Sequence, residues 1–324
     1  MSSSDTRHAR GPSVPAATDP SALGPFPSRK GLVIGLSALV GFLLTVAWSA
    51  KFVDSTIGDT IANGMLGHDA KATAISGVGA GIAFAFVTGV AGTFTACNIA
   101  VFGAMAPVLG TTDTRMGRLK ATLKPLLWLS VGMTAVSAGY GVLVGVVGTN
   151  MPQFSTAKSV AGQLSARSVQ SLVVFGLIGL IMIYLGLAAA GVVRDPFAKI
   201  SRRFPNARMV FLGALIGAFL IGRPFGLFRA LFRDAAESGN PLYGAAAFTL
   251  QSLGNILIMG VLLVLMATLL GGAVGRWFAA DPRRVAVVTA SALIIAGVFT
   301  FLYWDVRMLA NRGILPWYPL APWV

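Results

Sequence analysis

The chain has 324 residues but only one cysteine, two histidines and 11 acidic side chains. A single cysteine excludes an internal disulfide framework. The histidines are His8, in a Ser/Pro-rich tail, and His68, in a polar loop. They are too few and too scattered for a transition-metal site, so neither a metal nor another cofactor is expected. Charge is scarce too, at 11% of residues against 55% hydrophobic ones, and the mean hydropathy is +0.77. One soluble core of this length cannot hide so much apolar surface. The composition excludes an ordinary soluble domain and calls for a lipid bilayer as the surrounding partner.

Runs of about 20 apolar residues match a hydrocarbon core about 30 Å thick. Such runs occur at 31–50, 75–109, 125–148, 169–193, 209–228, 242–273 and 285–304. The expected fold class is therefore all-α integral membrane, with seven transmembrane helices. Residues 1–30 are Ser/Pro/Ala-rich without periodicity and read as a disordered cytoplasmic tail. The run 31–50 reads as an extra N-terminal transmembrane helix, and it also fits a signal peptide cut after Ser49. Residues 306–324 form an outer Pro/aromatic tail whose "ILPWYPLAPWV" suits an interfacial anchor or a lid over an outer vestibule.

A net charge of +14 would suggest nucleic acid in a soluble protein, but here it follows the membrane. The connections 1–30, 111–124, 194–208 and 274–284 hold 16 Lys and Arg, whereas 51–72, 150–168, 229–240 and 305–324 hold 8. The richer set is cytoplasmic by the positive-inside rule. That makes a multi-pass protein of the cell membrane with its N-terminus cytoplasmic and its C-terminus outside, and no nucleic acid is expected as a partner.

After the first helix the sequence repeats itself weakly but in order. The opening helices read "FAFVTGVAGTFTACNIAVFG" and "GAFLIGRPFGLFRALFR"; the closing ones read "LVVFGLIGLIMIYLGLAAAGVVR" and "VAVVTASALIIAGVFTFLYWDVR". The units are 75–193 and 209–305. Three spans per unit is an odd number, so the second unit enters the membrane from the opposite side. A 3+3 inverted repeat of this kind places a carrier's working site at the midplane, between the halves.

Two such repeats, each opening with a helix broken by small or polar residues, resemble the transmembrane thiol-disulfide carriers of cytochrome c biogenesis, CcdA and the membrane domain of DsbD. The resemblance covers residues 75–305. It implies a pair of proline-flanked cysteines that cycle between dithiol and disulfide, with a thioredoxin-like or cytochrome c maturation protein as partner. Cys97 stands at the first cysteine position, but its flanking prolines are Ala96 and Ala100, and the nearest proline is Pro107. The second repeat keeps the kink at Pro224, yet Phe225 stands where the second cysteine belongs. Exchange within one chain needs an attacking and a leaving sulfur. The resemblance therefore implies a divergent member that exchanges with a cysteine on a partner.

The residues themselves leave alternatives open. Gly77, Gly81, Ala85, Gly89, Thr93 and Cys97 are spaced by four, a small-residue ridge that lets another helix approach closely. Cys97 is either one more small residue in that ridge, protonated and inert, or a redox thiol. Arg223 lies beyond the midplane of its span and marks either a substrate-binding site or a snorkelling side chain. Gln251 and Asn255 share a face of the sixth span, as Ser130, Thr134 and Ser137 do on the third; both sets fit a polar central pocket or plain interhelical hydrogen bonding. Arg229, Arg233 and Glu237 read as a solvated helical row with local pairing. Two further functions stay open: a non-redox transporter of a small anionic solute, using Arg223, Gln251 and Asn255, and a membrane scaffold subunit.

Overall fold

The computed structural model describes residues 26–49, 52–93, 114–155, 160–222, 226–281 and 283–324. Its α-helices are α1 Lys30–Ala47, α2 Asp59–Leu66, α3 Gly77–Ala91, α4 Arg115–Val147, α5 Ala166–Ala189, α6 Ala198–Arg203, α7 Ala207–Gly222, α8 Gly226–Glu237, α9 Pro241–Leu269, α10 Gly271–Ala279, α11 Arg283–Phe301 and α12 Arg307–Asn311. A π-helical turn, Leu302–Val306, joins α11 to α12. No strand occurs among the described residues.

Among the described residues, five stretches are long and apolar enough to cross a membrane: α1, α4, α5, α9 and the continuous run from α11 through α12. The pair α7 and α8 makes a sixth if its 85° bend is counted within one span. The expected span 75–109 is described only as far as α3, which has 15 residues, and Thr93. Leu36, Leu43, Leu127, Val131, Val173, Leu177, Val261 and Leu265 are exposed on these helices. Such an apolar surface is solvated by lipid tails rather than by water.

Local chemistry sets the helix ends. Thr114 caps α4 by accepting from the Gly117 amide at 3.1 Å, and Ser165 caps α5 through the Ser168 amide. Asn240 caps α9 through the Leu242 and Tyr243 amides, with Pro241 pre-set at the first helical position. The third span was expected to begin at 125, but α4 begins ten residues earlier. Its first turns carry Arg118, Lys120 and Lys124, and charge outside the hydrocarbon does not stop a helix. The fifth span was expected to reach 228, yet α7 ends at Gly222.

Helices meet where glycine removes the side chain between backbones. A Cβ added at Gly89 would sit 2.0 Å from the Gln251 carbonyl oxygen, and one at Gly254 would sit 2.3 Å from that of Phe86. This is the α3–α9 contact. At the α4–α7 contact, a Cβ at Gly132 would lie 1.8 Å from the Val210 carbonyl oxygen, and one at Gly213 would lie 1.9 Å from that of Leu129. The two contacts share one register. Gly89 to Gly213 and Phe86 to Val210 are both steps of 124 positions; Gly254 back to Gly132 and Gln251 back to Leu129 are both steps of 122. Between them, α4 and α9 cross with Gly141 and Gly244 in reciprocal contact, while α5 and α11 pack through Gly179 and Gly297.

The helix α1 is built into this assembly. Gly41 packs on the Ile295 carbonyl of α11. The last carbonyls of α1 lack intrahelical donors, and the C-terminal tail supplies them. Arg307 donates to the Thr45 oxygen at 2.8 Å, Ala321 to that of Val46 and the Trp323 indole to that of Ala47, both at 3.1 Å. Tyr318 adds a hydroxyl contact to Thr45. The tail therefore caps α1.

Candidate functional site

At the α3–α9 contact, glycine lets two backbones touch, and one polar side chain pays for the closeness. Gln251 is fully buried, and among the described residues neither its Oε1 nor its Nε2 has a hydrogen-bond partner. Asn255, one turn along α9, is buried as well. Ser252 turns the other way and meets Ser137 of α4 at 2.5 Å. The serine pair is interhelical hydrogen bonding, as one of the two sequence readings held; the glutamine is not. Ser130 does not share Ser137's environment, because it lines an apolar groove with Leu126, Leu253 and Val261. The single polar face expected on the third span is thus divided.

The helix α3 stops close to this glutamine. The Gly92 amide is shared between the Thr88 and Gly89 carbonyls at 2.9 and 3.1 Å, which closes the last turn. The helix α7 stops at Gly222, and donors from α5 meet its final carbonyls. Gln170 Nε2 donates to the Ile221 oxygen at 2.8 Å and Ser171 Oγ to the Gly222 oxygen at 2.6 Å. Gln170 also donates to the Tyr140 hydroxyl at 3.0 Å, and that hydroxyl donates to Gln153 Oε1. A hydrogen-bonded chain from α4 through α5 thus fixes the place where α7 breaks.

Beside the break lies a cavity of about 270 Å³, lined by Arg167, Gln153, Gln170, Arg229 and Arg233 among others. Arg229, Arg233 and Glu237 lie on an exposed face of α8, as the solvated row predicts, but no ion pair joins them among the described residues, and the two arginines line the cavity with Arg167 of α5. Leu227, Phe228 and Leu231 bury the opposite side of α8. No motif or spacing in the sequence marks Arg167, Tyr140 or Gln170 as a group. The only signal was Arg167 standing at the start of a span in a sparsely basic connection.

Of the expected site residues, Gln251 and Asn255 are placed as described. Cys97, Pro107, Arg223 and Pro224 lie outside the described residues. Among the described residues no group of three or more His, Cys, Asp or Glu could hold a metal ion. No family, curated protein or solved structure matches the chain.

Proposed function

We propose that the protein is a membrane carrier built as a 3+3 inverted repeat, which exchanges thiol and disulfide through Cys97 with a thioredoxin-like partner. One observation supports the reading above others. The opening helices of the two halves, α3 with 15 residues and α7 with 16, are each too short to cross the bilayer alone, and they stand in corresponding positions. Each packs on the middle helix of the other half in a shared glycine register. A pair of interrupted helices at equivalent places points to a carrier's working site. In sequence, Cys97 stands six positions after the last residue of α3, and Arg223 is the next residue after α7.

The chemistry balances with one cysteine only if partners supply the other sulfurs. The Cys97 thiolate attacks one sulfur of a partner disulfide, a Cys97–partner bond forms, and the partner's second sulfur leaves as thiolate. A thiolate on a second partner then attacks the partner sulfur of that mixed disulfide, which joins the two partners and frees Cys97. The chain ends as it began. Cys97→Ser should leave protein amount and folding unchanged while the partner's disulfide persists, scored by alkylation and gel mobility. Normal processing in that variant would overturn the thiol reading.

Orientation has its own test. In a Cys97→Ser background, single cysteines at exposed Lys199 and Ala280 should stay shielded from an impermeant maleimide in intact cells, whereas one at exposed Ala72 should react. The basic connections motivate the assignment. Labelling at Lys199 would reverse the topology.

A further inference from the structure

The cavity at the α7–α8 break carries an inference independent of Cys97. Arg167, Arg229 and Arg233 line it together, and Arg229 lies within electrostatic reach of both others. Among the described residues no carboxylate pairs with any of the three. The nearest acid in sequence, Asp234, is engaged by the Tyr243 hydroxyl. Arg229 and Arg233 are exposed and Arg167 is half-buried, so water screens their mutual repulsion, and together they present three guanidinium groups to an anion at one place.

Two further features fit the same occupant. Gly226, the first residue of α8, also lines the cavity and brings the positive end of a 12-residue helix to it. The negative end of α7 reaches the same place, but Gln170 and Ser171 occupy its Ile221 and Gly222 carbonyls. Donors face the cavity while the competing acceptors are masked.

We infer that this cavity binds a phosphate-type oxyanion, held by Arg167, Arg229 and Arg233. The volume of about 270 Å³ exceeds several-fold the roughly 30 Å³ share of one water, so a phosphate ester fits as well as the free ion. Guanidinium forks are suited to two-point recognition of such oxygens. The source is either a soluble phosphate or the headgroup of an anionic lipid.

The test uses the full chain in phosphatidylcholine nanodiscs, with the thermal unfolding midpoint as readout. One arm exchanges chloride for inorganic phosphate at constant ionic strength; the other adds phosphatidylglycerol to the disc. A saturable rise in the phosphate arm assigns the free ion, and a rise confined to the lipid arm assigns the headgroup. In either case Arg233→Gln and Arg167→Gln should each weaken the apparent affinity about tenfold or more, while Arg284→Gln should not. In chloride alone, the same two variants should unfold no lower than the parent, because one repulsive charge has gone. No rise in either arm, or an equal rise in the arginine variants, overturns the assignment.

Discussion

Alanine at Gly132 or Gly89 is expected to destabilise the protein severely, whereas alanine at Gly139, on the same helix as Gly132, is expected to leave it unchanged or slightly more stable. The added Cβ would lie 1.8 Å from the Val210 carbonyl oxygen at Gly132 and 2.0 Å from that of Gln251 at Gly89. Both obstacles are backbone, so no rotamer change relieves them and the helices must part. Overpacking of this kind costs about 1–3 kcal/mol, and more where backbone must move. At Gly139 nothing lies within 4 Å. There alanine contributes only its better helix propensity, about 1 kcal/mol relative to glycine. Opposite signs at neighbouring glycines, read as unfolding midpoints in detergent, are the expected result. Gly213→Ala and Gly254→Ala should behave like Gly132→Ala, since they occupy the matching positions. Equal tolerance at all of these sites would mean that the helices do not cross at the glycines.

Replacing Gln251 by leucine is expected to raise stability and to remove function. The amide is fully buried, and both its polar atoms are unpartnered among the described residues. Each such group costs about 1–3 kcal/mol of desolvation that no bond returns. Leucine fills a similar volume without that cost, so the unfolding midpoint should rise by several degrees. A polar group kept at a stability cost inside a membrane protein marks a working site by default. If Gln251→Leu lowers the midpoint, the amide is a structural member of the helix contact and the site loses its central polar group.

The sequence made the long spans legible because a bilayer core imposes one length on every crossing helix. The sequence therefore locates α1, α5, α9 and α11 within a few residues of their ends. It misplaced the start of α4, because hydropathy sees the membrane boundary and the Thr114 cap lies beyond it. The four-spaced ridge on α3 was partly real. Gly81 and Gly89 face Tyr243 and Gln251, but nothing lies near a Cβ at Gly77. With 3.6 residues per turn, a spacing of four drifts by about 40° per step, so one row cannot follow a neighbour along its whole length. The arginine cavity was illegible because it joins α8 to the start of α5 and to the Pro152–Phe154 turn, a convergence set by packing rather than by spacing. Arg229 and Arg233 alone look like any solvated helix face.

The thiol chemistry is tested most directly by trapping the covalent intermediate. Cells expressing the tagged full chain are quenched in acid, alkylated, and resolved without reductant. A higher-mass species should contain the chain, collapse to its monomer with dithiothreitol, and disappear in Cys97→Ser while protein level stays constant. Since the chain has one cysteine, any such disulfide must join Cys97 to another polypeptide. If the wild-type chain runs only as reduced, freely alkylated monomer under every quench, and Cys97→Ser leaves the cell's disulfide processing intact, Cys97 is a packing residue and the carrier does not exchange thiols.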